Sequence, residues 1–125
     1  MSEKKIRGGS LIARALRDKG IENVFTLSGG FCNPALEGLM ECQIDVINCP
    51  HEQIAGHLAD GHTRITRKPT VCLVGPEGFA NAVPSMMEAW GERSPVIFIT
   101  GSSSLRRQGA GAVSYTHLTL PTTPV

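Results

Sequence analysis

Thr70-Val71-Cys72-Leu73-Val74-Gly75-Pro76-Glu77-Gly78 is the stretch that decides the fold. Its first five residues read as a continuous apolar strand, and Gly75-Pro76 breaks it. Val96-Ile97-Phe98-Ile99-Thr100 repeats the pattern and stops at Gly101-Ser102-Ser103-Ser104. Strands that are apolar on both sides need cover on both faces, which is the habit of a parallel sheet. Upstream, Val24-Phe25-Thr26-Leu27 stops at Ser28-Gly29-Gly30, and Ile44 to Ile47 reads as a further strand.

Helical patterns fill the intervals. Ser10 or Gly9 caps a first helix with Leu11, Ile12, Ala15 and Leu16 facing inward, and Gly20 closes it. Pro34 opens a second helix, with Ala35, Leu36, Leu39 and Met40 on its apolar side. A third runs from His51 to about Thr66, with Ile54, Ala55, Leu58 and Ala59 inward; a fourth starts near Asn81, with Pro84 in its early turns, and runs to about Trp90. Alternating strands and helices predict an α/β fold: an open parallel sheet of four strands with helices on both faces.

A chain of 125 residues supports one small domain. A net charge of +1, with basic residues scattered, points to neither nucleic acid nor an acidic membrane surface. No stretch is apolar for long enough to cross a bilayer, and Met1 to Lys5 has no signal-type apolar segment behind it, so the expected location is cytoplasmic. Cys32, Cys42, Cys49 and Cys72 form no C-x-x-C pair and read as free thiols, with no structural metal site. After Thr100 both periodicities vanish. Val113 to Thr122 matches, codon by codon, the translation of a transposase-type sequencing adapter. Residues 1–112 are therefore expected to be a partial domain, and 113–125 a non-native tail.

In open parallel sheets, ligands bind outside the carboxyl ends of the strands. That rule selects four loops: Ser28-Gly29-Gly30, Cys49-Pro50-His51-Glu52, Gly75-Pro76-Glu77-Gly78 and Gly101-Ser102-Ser103-Ser104. Three carry glycine, which lets backbone approach a ligand closely. The other places His51 and Glu52 at a helix start, where an acid also complements the helix dipole. His51-Glu52-Gln53-Ile54-Ala55 lacks the second histidine of H-E-x-x-H. No phosphate-loop, dinucleotide or nucleophile-elbow motif occurs.

Several ordered blocks carry a family resemblance. They are Ile12 to Ile21 leading into Val24 to Gly30, His51 to Arg64 followed by Lys68-Pro69, Val71 to Asn81, and Ser94-Pro95-Val96 into Ile99-Thr100-Gly101. Together they resemble the N-terminal pyrimidine-binding (PYR) domain of the acetolactate-synthase-like thiamine-diphosphate enzymes, over roughly residues 8–112. The resemblance implies a flavodoxin-like PYR fold, here incomplete. It places the family's glutamate on Glu52, where a buried carboxyl hydrogen-bonds N1′ of the cofactor's aminopyrimidine and promotes loss of the thiazolium C2 proton. It implies cofactor contacts at Ser28, Gly29, Gly30, His51, Gly75, Pro76, Gly78 and Asn81. The order Gly75-Pro76-Glu77-Gly78, preceded by Val74, departs from the family's G-P-G-x-x-N pattern. Arg64 matches a family arginine, with a structural ion pair as its plainer role.

The resemblance further implies a parent decarboxylase or carboligase, a transferase or lyase acting on a 2-oxo acid or an acyl-CoA-type relative. That parent is a homodimer or tetramer with thiamine diphosphate shared between subunits. The segment that holds Mg²⁺ and the diphosphate in the family is absent from this sequence. The chain is therefore expected to be inactive alone. Two alternatives stand beside it: a natural stand-alone PYR subunit that pairs with a separate diphosphate-domain chain, and a flavodoxin-like binding module without thiamine.

Overall fold

The computed structural model describes residues 6–102 and Arg106. Its elements are α1 (Gly8–Asp18), β1 (Asn23–Leu27), α2 (Asn33–Glu41), β2 (Asp45–Asn48), α3 (Glu52–Thr66), β3 (Thr70–Val74), α4 (Phe79–Gly91) and β4 (Val96–Thr100), with a 3₁₀ turn at Gly30–Cys32 before α2. The expected tail at 113–125 lies outside the described residues, as do Ser103 and Ser104 of the fourth loop.

The four strands form one parallel sheet in the order β2-β1-β3-β4. This is the start of the flavodoxin-like order, whose switch point lies between the first and third strands. In register, Phe25 stands beside Cys72, and Cys72 beside Phe98. The period of two sorts each strand between two cores. Val24, Val71 and Leu73 join Ala13, Leu39 and Ile44 on the α1–α2 side; Phe25, Cys72 and Val74 join Ala55, Ala59 and Ala82 on the α3–α4 side. All five residues of β3 are buried, as a centrally placed, doubly covered strand requires.

Helix ends follow local rules. Gly20, at φ +78°, closes α1 in a Schellman motif: Gly20 N–H donates to the Arg17 carbonyl at 2.9 Å and Ile21 N–H to that of Leu16 at 3.1 Å. Gln43 closes α2 the same way at φ 56°, which holds Ile44 to Leu39 and starts β2 one residue later than predicted. The fourth helix starts two residues earlier than predicted. The Gly75–Gly78 turn runs straight into it, with Gly78 C=O accepting from Asn81 and Ala82 N–H.

The inward faces predicted for α1 and α3 hold only in part: Leu16, Ala55 and Ala59 do pack inward, but the larger residues predicted beside them do not. In α1 the buried residues are Gly9, Ser10 and Ala13, while Leu11 and Ile12 are exposed. In α3 they are Ala55, Gly56, Ala59, Asp60 and Thr63, while Ile54 and Leu58 are exposed. Apolar periodicity weights large side chains, but close backbone approach selects small ones. A Cβ on Gly9 would strike the Pro34 carbonyl, and one on Gly56 would strike the Ser85 hydroxyl of α4. On α2, likewise, Met40 is exposed where Gly38 and Leu39 are buried.

Two outcomes follow. A Cβ on Gly38 would lie 2.6 Å from the Gly9 carbonyl oxygen, and backbone cannot swing aside. Gly38→Ala should gain about 1 kcal/mol in helix propensity and lose about 3 kcal/mol to overpacking, a net loss of about 2 kcal/mol read by urea unfolding. Burial pushes the Cys72 thiol from its ordinary 9.0 up to about 12, with Cys49 and Glu52 adding to the effect. The folded chain thus holds this proton more tightly than the unfolded one. The stability it contributes is complete below pH 9 and is lost as pH rises toward 12. The urea midpoint should fall through that window, and less steeply in Cys72→Ala; equal slopes would contradict the assignment.

Candidate functional site

The carboxyl ends of the four strands meet at one edge of the sheet. After β1, Ser28 N–H donates to Asn48 Oδ1 at 3.3 Å, tying this loop to the end of β2. Gly29 is extended, at φ −150° and ψ 161°, a conformation open to any residue. What distinguishes Gly29 and Gly30 is space: an added Cβ at either would meet no heavy atom within 4 Å. After β2, Cys49 N–H donates to the Thr26 carbonyl at 2.7 Å and carries the parallel pairing to the rim. His51 then caps α3, its Nδ1 accepting from Gln53 N–H at 3.1 Å. A neutral ring that accepts at Nδ1 carries its proton on Nε2.

After β3, Gly78 N–H donates to the Gly75 carbonyl at 3.1 Å. Pro76 occupies the second position of this turn, where its fixed φ fits. After β4, Gly101 N–H donates to the Val74 carbonyl at 3.2 Å. A Cβ on Gly101 would lie 2.9 Å from Phe31 Cβ, so Phe31 rests directly on this backbone.

Glu52 is the centre of the arrangement. It is the first residue of α3, and its side chain is only 14% exposed. The carboxyl lies where a side chain on Gly78 would be: a Cβ there would overlap Oε1 and sit 2.5 Å from Cγ. Asn81 Nδ2 donates to Oε2 at 3.2 Å, and His51 Nε2 stands 4.0 Å from the same oxygen. The turn after β3 and the helix start after β2 therefore close on each other. Glycine at 78 serves the glutamate directly, since the group that approaches its backbone is the chain's own carboxyl. Beneath it, Cys72 is fully buried, and burial, then Cys49 and Glu52, keep its thiol protonated at neutral pH.

Glu52, Gly78 and Asn81 are thus in contact, His51 stands beside them, and Gly75 and Pro76 shape the turn that presents Gly78. Ser28, Gly29 and Gly30 occupy the neighbouring strand end, joined to β2 through Asn48. Sequence reading missed Asn48 and Phe31. Asn48 closes β2 at the carboxyl edge of the sheet, a position the carboxyl-end rule would have flagged. Phe31 follows the glycine pair and carried no signal of its own.

Arg64 lies in the last turn of α3, away from this edge. It bridges Asp60 at 2.7 Å, Glu88 at 3.3 Å and Glu92 at 3.8 Å and ties α3 to α4. Burial pushes the Asp60 carboxyl up, but hydrogen bonds from Arg64 and Ser94 outweigh it and hold the group below its usual range. This is the structural role expected for Arg64. Among the described residues, no group of three or more His, Cys, Asp or Glu could hold a metal ion, and no helix is long and apolar enough to cross a membrane.

Known proteins resemble this chain in sequence and fold. The profile of the thiamine pyrophosphate enzyme, N-terminal TPP binding domain, matches residues 6–120. A probable acetolactate synthase of Mycobacterium bovis is 37% identical over 109 residues, covering 86% of this chain and 20% of that protein. A 2-hydroxyacyl-CoA lyase 2 of Danio rerio is 34% identical over 108 residues, covering 85% of this chain and 17% of that protein. Among solved structures, a thiamine diphosphate-dependent 4-hydroxybenzoylformate decarboxylase of Rhodococcus jostii superposes with a TM-score of 0.74 at 23% identity, over 82% of this chain and 20% of that one. The last likeness speaks for the fold alone. The chain spans about a fifth of the length of the curated relatives it matches. With the profile matched over nearly its whole length and a parallel sheet of the same fold, the chain belongs to the thiamine pyrophosphate enzyme family, in the part that forms the N-terminal TPP-binding domain.

Proposed function

We propose that the chain forms the pyrimidine half of a thiamine-diphosphate site, with Glu52 as the acid that meets N1′ of the aminopyrimidine. One observation carries this reading. The Glu52 carboxyl is turned inward onto Gly78 and held by Asn81, with 14% of its side chain exposed. An acid that served only the helix dipole would stand in water, where dipole stabilisation costs no desolvation.

The surrounding residues fit an aromatic ring. Open space above Gly29 and Gly30 leaves backbone against which a flat group can lie. His51, Gly75 and Pro76 wall the same rim, and Ser28 keeps the glycine pair in place through Asn48. Cys72 beneath Glu52 stays uncharged and adds no competing anion. Bound thiamine diphosphate supplies an electron sink for carbon–carbon bond chemistry. Glu52 holds a proton at the ring nitrogen, and the buried floor under it excludes water. Mg²⁺ and the diphosphate belong to a part of the parent protein beyond this chain, in a homodimer or tetramer whose subunits share the cofactor. The parent reaction is that of a transferase or lyase on a 2-oxo acid or acyl-CoA-type substrate, a reading supported by relatives named acetolactate synthase and 2-hydroxyacyl-CoA lyase.

Two measurements test the assignment. Glu52→Gln should weaken thiamine diphosphate binding to this chain, followed by ligand-observed NMR, by about 10- to 100-fold, the value of a hydrogen bond to a charged group. Unchanged affinity would remove Glu52 from the site. Gly78→Ala should cost as much binding while leaving the helical circular dichroism intact, because the new methyl group evicts a side chain and leaves the backbone in place.

A further inference from the structure

The two oxygens of the Glu52 carboxyl are not equivalent. Oε2 accepts from Asn81 Nδ2 at 3.2 Å, and this is the only hydrogen bond to the carboxyl among the described residues. Oε1 rests over Gly78 and has no donor there. With one oxygen held by Asn81 and the other given no donor among the described residues, the carboxyl keeps Oε1 available to a second partner. Asn81 can supply donors only from Nδ2, so while it binds Oε2, a proton shared with a ligand belongs on Oε1.

The placement of Asn81 suits this task. It is the third residue of α4, its N–H bonded to the Gly78 carbonyl at 3.0 Å, so the turn that seats Oε1 also sets the amide against Oε2. Its side chain makes no other hydrogen bond among the described residues. It is exposed and adds little to either core.

We infer that Asn81 is a positioning residue: it grips Oε2, fixes the plane of the Glu52 carboxyl against Gly78, and reserves Oε1 for the ring nitrogen of the cofactor. This rests on the reading of Glu52 given above. It makes Asn81 act through the glutamate, with no contact of its own to the cofactor.

A double-mutant cycle in the full chain separates the possibilities, with thiamine diphosphate as the probe and NMR titration as the readout. Asn81→Ala should weaken binding about tenfold, and Asn81→Asp more, because a carboxylate turns the donor into a repelling acceptor. Both variants should keep the wild-type helical circular dichroism, so that the loss of affinity is read on a folded chain. In a Glu52→Gln background, Asn81→Ala should change affinity little further. Additive losses would mean that Asn81 touches the cofactor itself, which overturns the inference and leaves Glu52 in place. Independently of any ligand, the side-chain amide protons of Asn81 should shift in the ¹⁵N–¹H spectrum on Glu52→Ala; unmoved signals would overturn the contact. A wild-type chain that binds no thiamine diphosphate would overturn the reading of Glu52, and this inference with it.

Discussion

Burial of β1 and β3 on both faces is the constraint from which the rest follows. A strand covered above and below can pair only sideways, so the chain must cross over a face of the sheet to reach the next parallel position. That requirement lines up all four strands and brings their carboxyl ends to one edge. Glu52 follows β2 and Gly78 follows β3, with β1 between their strands. They meet because both chain reversals rise from the same edge and lean over the α3–α4 side. Thr26 helps to pin this geometry from within, its buried hydroxyl donating to the Leu73 carbonyl of the neighbouring strand at 2.6 Å.

The second organising feature is the closeness of the layers. Gly9 and Gly38 let α1 and α2 approach backbone to backbone, and Gly56 admits Ser85 and Phe98. Small residues therefore line the contacts, and larger apolar ones such as Ile54, Leu58, Val83 and Met87 stand on the outer surfaces of α3 and α4. The same principle operates at the site. Gly78 is to the Glu52 carboxyl what Gly9 is to the Pro34 carbonyl: a missing side chain whose volume a neighbour occupies.

Much of the site was legible in the sequence. From strand punctuation alone the carboxyl-end rule picked loops that the structure brings to one edge of the sheet, and the family resemblance singled out Glu52. What pattern reading could not weigh was which face of each helix turns inward. It turned Leu11, Ile12, Ile54 and Leu58 inward and passed over Gly9, Ser10, Ala13 and Gly56, because hydrophobicity scales count transfer free energy and take no account of the distance between backbones. The boundary of α4 failed for a related reason. Pro84 suggested a start near Asn81, but the turn at Gly75–Gly78 supplies its own hydrogen bonds and launches the helix earlier.

By itself the sequence determined the alternation of elements, the two-sided apolar strands, the helix ends at Gly20 and Pro34, and the presence of an acid, Glu52, at a helix start on the carboxyl edge of the sheet. These are local matters of periodicity, turn chemistry and composition, and they need no knowledge of distant neighbours. Only the tertiary structure decided that Glu52 is turned inward, that Gly78 exists to admit it, and that Asn81 grips one of its two oxygens. Residues 52, 78 and 81 are far apart along the chain, and a contact across that separation is set by how the sheet stacks its strand ends, which no local pattern encodes.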